Sequence, residues 1–140
     1  MPTPADIKRA LQGAGFEIYR TQGDVVHVAE RVRENLLMDS GVFVDAALTV
    51  GFIARAQRTD FPNDSDEILF ERARDLGRAA LDRGYAETSA ETRTVVDPGD
   101  STRALDHWCE VAFKKGVVEL DVALDEVRFA LTLEKAAVPR

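Results

Sequence analysis

His107-Trp108-Cys109-Glu110 is the tetrapeptide with the most chemical potential in this sequence. On an extended backbone His107 and Cys109 point to one face and Trp108 and Glu110 to the other. An imidazole and a thiol on one face suggest either a metal site or a Cys–His nucleophile pair. A zinc-type site needs three or four ligands, and no second cysteine or nearby histidine in the sequence completes one. A nucleophile pair needs the thiol against the imidazole and a third group orienting the base. Residues two apart on a strand lie about 6 to 7 Å apart at Cα, an awkward spacing for that contact. The expectation is therefore a structural Cys109, a small buried hydrophobe. His27, between apolar neighbours in Val25-Val26-His27-Val28-Ala29, is expected to be a sheet-face residue with a local hydrogen bond.

Other polar clusters are weaker. Asp97, Asp100, Asp106 and Glu110 gather around a turn but lack the Asp-x-Asp-x-Asp-Gly spacing of a calcium loop, so they read as solvated acids. Gly13-Ala14-Gly15 follows a helix and leads into a strand, the reverse of a dinucleotide loop. Arg55/Arg58 and Lys114/Lys115 are short basic spots flanked by acids and read as ordinary surface. No catalytic, cofactor-binding or metal-binding residue is expected. Trp108 instead joins Phe43 and Ile53 as a candidate partner surface, because large apolar groups on an outer sheet face call for cover.

The whole chain sets the frame for these residues. Its 140 residues fit one domain, and 45% hydrophobic against 31% charged residues allows a core and a wet surface. A net charge of −7 argues against nucleic acid, whose phosphates are bound by neutralising them. A basic partner surface remains compatible with it. One cysteine cannot form an internal disulfide, the N-terminus lacks the pattern of a signal peptide, and no apolar run has the length of a bilayer span. A cytoplasmic protein without membrane contact is the expectation.

The clearest periodicity runs from Val42 to Ala56. Val42, Val44, Ala46, Leu48, Val50, Phe52, Ala54 and Ala56 occupy every second position, which predicts one long strand with an apolar face. Phe43 and Ile53 fall on its mixed face. Before it, Thr3 can cap a helix with Pro4 in the first turn, and Ile7, Ala10, Leu11 and Ala14 share a face as far as Gly15. Phe16–Tyr19 and Val25–Val32 are predicted strands around Gln22-Gly23-Asp24, and Arg33–Ser40 a connection. After Phe61-Pro62-Asn63-Asp64 a helix is predicted over Asp66–Arg83. Its buried face is Leu69, Ala73, Leu76 and Ala80, broadened by Ile68 and Phe70. Glu91–Val96 and Leu105–Lys114 are predicted strands either side of Asp97-Pro98-Gly99-Asp100. The tail from Val118 to Ala137 fits a helix with Leu120, Leu124, Val127 and Leu131 in line. It also fits a hairpin turning at Asp125-Glu126; helix-forming composition and the lack of a turn glycine favour the helix.

The order α-β-β-β-α-β-β-α predicts a single α+β domain over residues 1–140, an antiparallel sheet with helices packed on one face. That order resembles the fold of class I type III secretion chaperones and of the YbjN family. The matching stretches are Ile7–Gly15, the hairpin at Gln22-Gly23-Asp24, Val42–Ala56, Asp66–Arg83 and Leu120–Ala136. The resemblance implies a homodimer that binds another protein and catalyses no reaction. Two further readings stand beside this one: a small ligand-binding or enzymatic α+β protein with a pocket near His107, Cys109 and His27, and a subunit of a larger assembly. Convergence of His107, Cys109 and an acid in a concave pocket would favour the former.

Overall fold

Six antiparallel strands hydrogen-bond in the order β1-β2-β3-β4-β6-β5. The computed structural model describes residues 2–140. In chain order the elements are α1 (Pro4–Gly13), β1 (Ile18–Gln22), β2 (Val25–Arg33), β3 (Leu36–Asp45) and β4 (Thr49–Gln57). Then come α2 (Asp66–Leu76), α3 (Arg78–Asp82), β5 (Ala86–Asp97), β6 (Asp100–Gly116) and α4 (Leu120–Thr132). The expected α+β class holds, as does the succession of helix, strands, helix, strands and closing helix.

The chain partitions into two compact units, Met1–Phe52 with Lys114–Leu133 and Ile53–Phe113 with Glu134–Arg140. In the first, α1 starts from a reciprocal capping box between Thr3 and Asp6. Two backbone N–H groups that a helix end leaves orphaned are thereby satisfied. Its Ile7 and Leu11 are buried with Val26 and Val28 of β2, Val42 and Val44 of β3, and Val50 and Phe52 of β4. Ala123, Val127 and Ala130 of α4 complete the buried set. Removing one such apolar side chain from water contributes about 1.5 to 3 kcal/mol, and the pairs Val26/Val28, Val42/Val44 and Val50/Phe52 do so at alternate positions.

The long strand predicted over Val42–Ala56 is two strands joined by Ala46-Ala47-Leu48. Val44 pairs with Val50, Phe43 with Gly51 and Val42 with Phe52. Asp45 makes the turn: its Oδ1 accepts from the N–H groups of Ala47 and Thr49, both at 3.0 Å. Leu48 sits at φ 60°, in the left-handed region usual for the last residue of a three-residue hairpin loop. A loop with an odd number of residues leaves facing positions with the same parity. The even-numbered apolar set therefore stays on one face through the reversal, and the alternation continues as if no turn were there. The predicted connection Arg33–Ser40 is also corrected: Glu34-Asn35 is a tight turn, and β3 begins at Leu36.

In the second unit, Ala54 and Ala56 of β4 are buried with Leu69 and Ala73 of α2 and with Cys109, Val111 and Phe113 of β6. The single helix predicted over Asp66–Arg83 breaks at Gly77. A Cβ placed there would lie 2.3 Å from the Phe113 ring. Only glycine lets that ring lie against the backbone where α2 gives way to α3. Ile68, expected to broaden the buried face, is 41% exposed. The strands around Pro98-Gly99 run further than predicted, and β5 is exposed along its length except at Asp97.

The tail is helical from Leu120 to Thr132 and extended beyond, which corrects the helix expected to run on to Ala136. Ala136 forms a parallel bridge with Arg55. The Arg55 N–H donates to Lys135 O, and the Ala137 N–H donates to Arg55 O, both at 2.9 Å. Hydrogen bonding to β4 thus takes over from helix propensity. The buried face of α4 is Ala123, Glu126, Val127 and Ala130, while Leu120, Leu124 and Leu131 are half-buried. Glu126 is tolerated there because Lys115 Nζ meets its Oε2 at 2.9 Å. Lys115 is therefore not the ordinary surface residue expected.

Candidate functional site

In the second unit β6 and the first turn of α2 bring three chemically different side chains together. Ser65 caps α2 by accepting from the Ile68 N–H, which places Asp66 at the first helical position. Strand alternation puts His107 and Cys109 on the β6 face beneath it. The Asp66 carboxylate, the His107 imidazole and the Cys109 thiol offer ligand atoms that all lie within 4.8 Å of one another. Asp66 and His107 are half-buried and Cys109 is fully buried.

His107 is held at both nitrogens. Nε2 lies 2.9 Å from Asp66 Oδ1 and Nδ1 lies 2.8 Å from the Thr94 hydroxyl of β5. An ionised carboxylate only accepts, so the neutral imidazole carries its proton on Nε2 and accepts from Thr94 at Nδ1. Arg58 also donates to Asp66 Oδ1, at 2.5 Å, and its backbone N–H donates to His107 O at 2.8 Å. Arg58 therefore fixes both sides of the cluster, which corrects its reading as plain surface.

Cys109 packs with Ala56, Phe61 and Leu69, and its thiol contacts the Asp66 carbonyl oxygen at 3.7 Å. Burial first, and then the Asp66 charge, pushes the thiol up to about 11. Cys109 is protonated and poorly nucleophilic at neutral pH. What the sequence left out is Asp66. It is 41 residues from His107 in the chain, and its only local signal is that of an acid in a helix first turn.

The other expected residues lie as follows. His27 sits on β2 with Nδ1 3.8 Å from Asp39 Oδ2, its ring 6.1 Å from that of Phe43. Phe43 belongs to the first unit, half-buried, with Lys114 Nζ 5.7 Å from its ring centre. Ile53 and Trp108 belong to the second unit and are half-buried on the sides of β4 and β6 opposite their buried neighbours. Trp108 Nε1 donates to Glu110 Oε2 at 3.3 Å, and Glu110 in turn accepts from Arg93 Nε at 2.8 Å. The candidate surface is thus divided between the units. Asp97 and Asp100 are turn acids, accepting from the N–H groups of Gly99 and Thr102.

Among the described residues no helix is long and apolar enough to cross a membrane. In comparisons with known proteins, no family model, no curated protein and no solved structure matches this chain.

Proposed function

We propose that this chain is a non-enzymatic protein-binding module that acts as a homodimer, similar to a secretion chaperone or a YbjN-type regulator. The observation that carries this reading is β5. It is a twelve-residue strand at the sheet edge, exposed at every position but its last. An edge of that length presents a row of outward N–H and C=O groups, a template for another strand. Its charges suit a second copy of itself. Two β5 strands running antiparallel about Thr92 place Glu91 of each opposite Arg93 of the other, the self-complementarity a two-fold interface requires. The half-buried Phe43, Ile53 and Trp108 supply further apolar surface for a protein partner.

Light scattering at high micromolar concentration tests the reading. The expected mass is that of a dimer, lost in Arg93→Glu and regained when Glu91→Arg is added. A monomer mass for the unaltered chain overturns it.

One observation favours the second reading, a ligand-binding or enzymatic site: Asp66 supplies the acid that converges with His107 and Cys109. The raised thiol weighs against nucleophilic chemistry there, though not against ligand binding.

A further inference from the structure

We propose that Asp66, His107 and Cys109 form a binding site for a single zinc ion or a similar borderline divalent metal. The donor set is the first reason. Thiolate and imidazole suit zinc and cobalt, whereas calcium and magnesium take oxygen ligands. The geometry is the second. Ligand atoms within 4.8 Å of one another need only small side-chain movements to reach the spacing set by bonds of about 2.0 to 2.3 Å around a tetrahedral ion. Three protein ligands leave one position open to water or to a partner's side chain.

The third reason is how the ligands are held. A ligating imidazole needs its other nitrogen fixed by a hydrogen bond. The Thr94 hydroxyl, 2.8 Å from Nδ1, does this in either tautomer, because it can donate or accept. In the metal-bound form the proton moves from Nε2 to Nδ1 and is donated to Thr94. Asp66 Oδ1 faces His107 Nε2 at 2.9 Å and also accepts from Arg58. Arg58 then orients the carboxylate while its charge lowers the affinity. Thiolate and carboxylate together neutralise the ion's two charges.

The proton balance gives a distinctive signature. A metal binds thiolate, so Cys109 must give up its S–H proton. Forming the metal–sulfur bond breaks that S–H bond and releases one proton to solvent per ion. An adventitious ion held by surface carboxylates and histidine at neutral pH releases essentially none.

Cobalt(II) titration of the intact protein near pH 7 is the test, followed by zinc displacement and by proton release in weak buffer. The expected results are a thiolate-to-cobalt charge-transfer band, intense visible bands of tetrahedral cobalt, displacement by zinc, and one proton released per ion. Cys109→Ala should abolish the charge-transfer band, and His107→Ala and Asp66→Asn should each weaken binding at least about ten-fold. No charge-transfer band on the unaltered protein overturns the proposal. So does binding that persists unchanged in Cys109→Ala, which marks an adventitious ion only. Should a variant fail to fold, the cobalt spectrum and proton count of the unaltered chain decide alone.

Discussion

Each compact unit holds a polar group against its core, but in opposite ways. In the first, Glu126 is 3% exposed on α4 and meets Lys115 among branched aliphatic side chains. In the second, Asp66 is 43% exposed by its side chain and is shared by Arg58 and His107 beside a core rich in alanine. A charge sealed from water must keep its partner, because losing it leaves an ion stranded in a medium that cannot solvate it. A half-exposed network can exchange partners for water, so it is weakly stabilising and chemically available. The first arrangement serves stability; the second is where a proton or an ion can come and go.

The sharpest way to break this contrast is to remove one carboxylate from each unit. Glu126→Ala is expected to cost about 3 kcal/mol or more in urea unfolding, since Lys115 is left behind only partly exposed. Replacing both partners by apolar residues of similar volume should recover most of that loss. Asp66→Ala should cost about 1 kcal/mol, as for other half-exposed pairs. Equal costs for Glu126→Ala and Asp66→Ala would erase the distinction.

A second experiment sharpens the picture of the second unit through Cys109. Its thiol titrates near 9.0 when unperturbed and near 11 in the fold. Between those values the native state holds a proton that the unfolded chain releases. The stabilisation is thus complete below about pH 9 and is lost as pH rises through 11. The expected difference between the unaltered chain and Cys109→Ala across that window is on the order of 2 kcal/mol. Denaturation curves at stepped pH measure it, and parallel curves for the two proteins would place Cys109 in contact with water.

Gly77→Ala tests the packing at the break between α2 and α3. The added Cβ meets Phe113 ring atoms at 2.3 to 2.8 Å, so the ring must move within a filled core. Overpacking of this kind costs about 1 to 2 kcal/mol. Adding Phe113→Leu should return part of it. A neutral Gly77→Ala would mean that the break between α2 and α3 is not set by that ring, and that this unit packs more loosely than the first.

The residues themselves determined the local structure wherever a local cause sufficed. Thr3-Pro4 and Asp6 marked the start of α1, Pro98-Gly99 marked the β5–β6 turn, and period-two alternation marked the strands and their buried parity from Val42 to Ala56. The same alternation concealed the turn at Ala46-Ala47-Leu48. An odd loop preserves parity, and no glycine, proline or asparagine announced it. Gly77 stood inside a helical pattern, and only Phe113, far along the chain, gives it a reason to end α2. The end of α4 was likewise set at a distance, by hydrogen bonds from Arg55 that composition does not encode. The candidate site follows the same rule. His107 and Cys109 were legible as a pair because strand geometry fixes residues two apart. Asp66, Arg58 and Thr94 join them through packing between elements, and chain spacing carries no record of which elements will touch. Sequence determined most of the elements and the inward parity of the strands; the tertiary fold decided where several of them end and which polar groups would share one space.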